Sequence, residues 1–197
     1  MDQDQVRELL YQALETELGG VRVYQTAISC AVNADLKTEW SKYLTETKTH
    51  VELVQGILAK LGLDSGMETP GRAVVRHLGE AMVIAMEKAK SAGIPSAAEI
   101  VAAECVVLAE TKDHQNWELL GQIMDSLDPP YVEAIKPAWL EVESQEDEHF
   151  YHTRGWVREL WLQSLGMPAQ FPPPEEEQDV RSMAEAAQVE AERKQQP

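Results

Sequence analysis

The stretch Trp139-Leu140-Glu141-Val142-Glu143-Ser144-Gln145-Glu146-Asp147-Glu148-His149 decides how this chain is read. At about 100° per residue on a helix, Val142 and Leu160 fall about 20° to one side of His149, Trp156 about 20° to the other, and Glu146 about 60° away. An imidazole thus occupies the centre of an apolar stripe, with a carboxylate one turn earlier on the same face. The pattern repeats. Trp40 precedes His50 by ten residues, as Trp139 precedes His149, and the helices that carry them end in Leu61-Gly62 and Leu165-Gly166. Around His50, Tyr43 lies about 20° to one side, with Ile57 about 20° and Glu46 about 40° to the other.

Two further long helices precede these. The first is predicted from about Asp4 to Ala31, where Val6, Leu10, Ala13, Glu17, Val21, Tyr24 and Ile28 recur at helical steps and place Glu17 inside the apolar stripe. Asn33-Ala34-Asp35 is the turn, with Asp35 as cap of the next helix, which runs to Leu61 and stops at Gly62. A crossover helix follows from Pro70 to Lys90, with Val74, Leu78, Met82 and Ala85 on one side. Ser96-Ala97-Ala98-Glu99 reads as a capping box that opens a helix to about Leu127. Its inward acid is Glu110, flanked by Ala103, Trp117, Val106 and Met124, whereas Glu104 shares a polar face; His114, one turn beyond Glu110, also points inward. Asp128-Pro129-Pro130 starts the last long helix, which Pro137 should kink or interrupt.

No strand-like alternation competes, so the fold class is all-α: two helical hairpins joined by a crossover helix, a four-helix-bundle arrangement over residues 1–167. Residues 168–197, with Phe171-Pro172-Pro173-Pro174-Glu175-Glu176-Glu177 at their start, form an acidic, Pro-rich tail expected to be mobile or docked on a partner subunit.

Composition narrows the function. With 34 acidic against 17 basic residues the net charge is −17, which disfavours nucleic acid and anionic membrane as partners. Cys30 and Cys105 form no metal-binding or disulfide pattern, no leader opens the chain, and no uncharged run is long enough to span a membrane, so a cytoplasmic location is expected. A homodimer is the default assembly.

Taken singly, an inward Glu or His is most often a solvated or hydrogen-bonded residue; His77, His152 and Glu148 are read that way, Tyr24 and Tyr43 as core, and Trp40, Trp117, Trp139 and Trp156 as packing. Together, Glu17, Glu46, His50, Glu110, His114, Glu146 and His149 are a different matter. Buried carboxylates are costly unless paired, protonated or bound to metal, and Lys and Arg are nearly missing from these faces. One Glu from each of two helices with Glu-x-x-His on the others is a recipe for paired iron or manganese ions.

With these residues in hand, the chain resembles the ferritin-like diiron-carboxylate superfamily. Asp35-Leu36-Lys37-Thr38-Glu39-Trp40 and Leu44-Thr45-Glu46-Thr47-Lys48-Thr49-His50-Val51-Glu52-Leu53 are similar to the bacterial stress-associated ferritin-like proteins. The likeness covers about residues 4–165. It implies Glu17 and Glu110 as lone acid ligands, His50 and His149 as imidazole ligands, and Glu146 as the acid of Glu-x-x-His. Helix two departs from the pattern, since Glu46 is four residues from His50 and Thr47 stands where the repeat has Glu146. The implied activity is a dinuclear iron or manganese oxidoreductase acting with O₂ or peroxide. Ferroxidase or iron handling is the alternative within metals, and a metal-free helical interaction module the alternative outside them.

Overall fold

The computed structural model describes residues 1–195, and among them every regular element is helical. The long helices are α1 (Gln3–Cys30), α2 (Ala34–Lys60), α4 (Pro95–Ile123) and α5 (Pro129–Ser164), with α3 (Pro70–Ser91) between the two pairs and α6 (Pro174–Glu177) and α7 (Met183–Arg193) at the end. α1 pairs with α2 and α4 with α5; α1 also lies along α4, and α3 packs across both α1 and α4.

Local chemistry sets the ends. Gly62, Gly93 and Gly166 follow α2, α3 and α5 with φ of +68°, +77° and +73°, a backbone region open chiefly to glycine. The caps differ from expectation. Asn33, not Asp35, caps α2 by accepting the amides of Asp35 and Leu36, because its side chain precedes the first turn and Asp35 lies inside it. The expected capping box at Ser96 does not form: Pro95 already occupies the first turn, and Glu99 turns away to accept the amides of Val32 and Asn33 at 2.7 and 2.6 Å. One carboxylate of α4 thereby fixes the turn between α1 and α2. α5 runs unbroken through Pro137; both Pro137 and Glu133, whose carbonyl loses its bond, face water.

α3 meets the body on a face turned from the expected one. Val75, Gly79 and Met86 are buried with Arg72, whereas Val74 and Leu78 remain 59% and 55% exposed. The register is set where α3 crosses α1: a Cβ at Gly79 would lie only 3.6 Å from the Gly19 Cα, so two glycines bring the backbones together. Arg72 and Arg76 then share Glu15, at 2.8 and 3.0 Å.

The interior is layered along the helix axes. One apolar cluster gathers Val23, Tyr24, Trp40, Tyr43, Val106 and Trp156, and the other Leu10, Leu14, Val54, Trp117, Leu120 and Val142. In every long helix the residues between those two sets include Glu17, His50, Glu110, or Glu146 and His149, so a polar layer is held between two apolar ones. Burying each large apolar side chain contributes about 1.5–3 kcal/mol, which holds the helices together on both sides of that layer.

The described part of the tail packs on α5 of its own chain. Val180 and Val189 are buried against Tyr151, and the Phe171 ring stacks on Trp156 with centroids 5.6 Å apart. Charge complementarity completes the contact: Arg193 pairs with Glu159, Arg158 with Glu175, and Arg181 with Glu148. No helix among the described residues is long and apolar enough to cross a membrane.

Candidate metal centre

Five buried side chains from the four long helices meet in the polar layer. His50 Nδ1 lies 2.9 Å from Glu146 Oε1 and 3.6 Å from Glu17 Oε2. His149 Nδ1 lies 3.6 Å from Glu110 Oε2 and 3.6 Å from Glu146 Oε1. They form two triads, Glu17–His50–Glu146 and Glu110–Glu146–His149, each with its donor atoms within 4.8 Å of one another, and Glu146 belongs to both. The two imidazole rings stack with centroids 5.9 Å apart.

Each donor is aimed from behind. His50 donates Nε2–H to Gln145 Oε1 at 2.8 Å, and His149 donates Nε2–H to Glu46 Oε2 at 2.9 Å, because both acceptors are oxygens. Nδ1 of each ring is thereby turned toward the carboxylates of the centre. Trp117 Nε1 donates to Glu17 Oε1 at 2.9 Å, which leaves Glu17 Oε2 facing the centre. Glu17 Oε2, Glu110 Oε2, Glu146 Oε2 and both Nδ1 atoms are buried without a hydrogen-bond partner. Left unpaired, one such group costs about 1–3 kcal/mol; here the two imidazoles are the charged partners within reach of the three carboxylates, with His50 Nδ1 2.9 Å from Glu146 Oε1. Among the described residues no Lys or Arg pairs with Glu17, Glu110 or Glu146.

The electrostatics agree. Burial alone would depress both imidazoles, but Glu17 and Glu146 reverse this at His50 and raise it to about 11, and Glu110 and Glu46 raise His149 to about 10. Burial, then the Glu110 charge, lifts Glu146 to about 7 even with His50 and His149 beside it. Asp113, wholly buried beside Glu17, is pushed well above the carboxylate range by burial and by the charges of Glu17, Glu146 and Glu110. Two imidazolium charges thus offset part of the negative charge of the three carboxylates.

Of the seven residues singled out in the sequence, the structure brings together Glu17, His50, Glu110, Glu146 and His149. Glu46 stands behind His149 and is 23% exposed. His114 lies outside, in the seam between α4 and α5, where Nε2 is 2.6 Å from Asp147 Oδ1 and the ring stacks on Phe150. Asp113 takes the inward place instead. Helical angle puts Asp113 and His114 on opposite flanks of Glu110, about −60° and +40°, and cannot say which flank faces Glu17. Thr47 fills the position that corresponds to Glu146, buried with its methyl 3.2 Å from where a Gly20 Cβ would be. Gln145 and Trp117 support His50 and Glu17 from behind, and the signal for them in the sequence is their place next to Glu146 and on the Glu110 stripe. Glu104 is exposed and accepts Trp161 Nε1–H, so the choice of Glu110 over it holds.

A hydrogen-bonded network adjoins the centre. The Tyr43 ring lies over His149, with centroids 4.1 Å apart, and its hydroxyl donates to Glu39 Oε1 at 2.6 Å; Trp156 Nε1 donates to Glu39 Oε2 at 2.6 Å. On the other side, a cavity of about 350 Å³ opens in the α4–α5 seam and has Glu146 on its wall. Comparison of the chain with known protein families, with curated proteins and with solved structures finds no match.

Proposed function

We propose that this protein is a ferritin-like metal-binding protein that holds two iron or manganese ions and serves as an oxidoreductase acting with O₂ or peroxide. One observation carries the reading: two buried triads of carboxylate and imidazole donors share Glu146, with no Lys or Arg among the described residues paired to their carboxylates and with the outward imidazole nitrogens hydrogen-bonded. Each triad supplies two carboxylates and one imidazole, a donor set that suits first-row divalent ions better than the all-oxygen shells of Ca²⁺ or Mg²⁺, and no thiolate takes part. Such a pair of ions, when bound, supplies Lewis-acid binding and electron transfer for a small oxidant.

The chain's own residues do the rest. Gln145 and Glu46 fix the tautomer and tilt of the two imidazoles. The apolar layers above and below exclude water. His50 and His149 release their protons when a cation replaces them, so uptake tightens as pH rises. Asp113 keeps a proton beside Glu17 that balances the local charge.

The test is elemental mass spectrometry on the chain reconstituted with Fe(II) or Mn(II), beside Glu146→Ala. About two ions per chain in the wild type and near none in the variant support the reading. No ion in the reconstituted wild type sinks it and leaves a metal-free helical module.

A further inference from the structure

We propose that the cavity in the α4–α5 seam is the route by which a divalent cation reaches the buried carboxylates, with Glu118 and Glu143 at its rim as the steering charges. This rests on the metal-binding reading and adds the path. The cavity holds about 350 Å³ and its wall includes Glu146, which is 1% exposed and whose Oε2 has no hydrogen-bond partner. It therefore ends at the one carboxylate common to both triads. Its other titratable walls are Glu118, Glu143, Asp147 and His114, whose Nε2 is 2.6 Å from Asp147 Oδ1, with no Lys or Arg among them.

The other cavities suit a cation poorly. The one between α1, α3 and α4, about 400 Å³, is almost wholly apolar, and its one lining cation, Lys112, hydrogen-bonds Asn116. The cleft between α1, α2 and α3 carries Arg22, Lys48, Arg72 and Arg76. The seam thus carries four carboxylates against one imidazole, whereas the first of these cavities is mostly apolar and the second sets four basic side chains against Glu15 and Glu52. A cleft lined by one sign of charge concentrates the opposite ion and raises its on-rate by about 10- to 10³-fold. Two contacts set its width. His114 on α4 bonds Asp147 on α5 at 2.6 Å, and Trp139 Nε1 bonds the Trp117 carbonyl at 3.1 Å. Gly121 is required for the second, since a Cβ there would fall 2.7 Å from Trp139 Nε1. This gives His114 a place beside the ion's path rather than in its shell.

The experiment is stopped-flow uptake of Co(II), whose visible absorption reports coordination, by the full chain at low ionic strength. Wild type is compared with Glu118→Lys/Glu143→Lys and with the control Glu52→Lys/Glu87→Lys. All four positions are exposed, so both variants keep the fold, and each removes the same charge from the −17 total. Uptake slowed about tenfold or more in the seam variant alone, with the same final stoichiometry in all three, is the expected result. Equal slowing in seam and control variants, or no slowing in either, overturns the route while leaving the metal centre standing. A wild type that takes up no Co(II) at equilibrium overturns the metal reading itself, and the route with it.

Discussion

Glu146 and Glu46 both lie within hydrogen-bond or ion-pair reach of an imidazole, yet they do different things, and substitution should separate them. Glu146→Ala removes a donor from both triads and is expected to abolish binding of both ions. Glu46→Ala removes only the acceptor behind His149; two ions should still bind, with affinity lowered about 10- to 100-fold. His114→Ala should leave the number of bound ions unchanged, because its ring is engaged with Asp147 and Phe150. Titration of each variant with Fe(II) or Mn(II), followed by isothermal calorimetry, checks all three. The centre was legible wherever a polar residue interrupted an apolar stripe at its middle, as Glu17, His50, Glu110 and His149 do. It was not legible at the flanks. Glu46, about 40° from His50, and His114, about 40° from Glu110, fall where a few degrees of helix rotation decide between the centre and the seam.

At the scale of elements, the five principal helices were readable to within a few residues, because each carries a helical period and α2, α3 and α5 stop at Gly62, Gly93 and Gly166. The caps were less so. Asn33, Asp35, Ser96 and Glu99 all satisfy the local cap rules, and long-range geometry chose among them, with Glu99 serving a turn some 66 residues away. The tail's docking was hidden for the same reason: Val180 and Val189 offer little apolar surface, and the Arg–Glu pairs that hold it span up to 34 residues. One of its contacts is sensitive to pH. Burial and the charges of Glu39 and Asp35 raise Glu176 to about 8, against a weaker opposing contribution from Trp156. The folded tail therefore keeps a proton that the released tail gives up, and its docking weakens as pH climbs from the ordinary carboxyl range through about 8. Limited proteolysis of the tail should accelerate between pH 6.5 and 9 in the wild type, and Glu176→Gln should flatten that dependence.

For the molecule as a whole, the buried polar layer carries a cost that bound cations, on the proposed reading, would offset. It joins four helices through groups that repel one another once the imidazoles lose their protons, so occupancy and global stability are linked. A ligand at a hundred times its Kd adds about 2.7 kcal/mol. For a chain of this size that amounts to about 5–10 °C in Tm, and chelation should reverse it in a thermal melt followed by circular dichroism. Apolar substitution of the whole layer would remove this dependence, whereas removing His50 alone leaves its carboxylates with less counter-charge and should destabilise the apo form.

The membership of Glu146 in both triads has a consequence for how the chain reads its surroundings. Two ions that lean on one side chain cannot be strangers: whatever the first does to the orientation and charge of that carboxylate, the second inherits. By reciprocity, the factor by which an ion at the Glu17–His50–Glu146 triad changes the affinity of the Glu110–Glu146–His149 triad would equal the factor in the other direction. On the dinuclear reading proposed above, half-occupancy would be a state with its own energy rather than the midpoint between none and two.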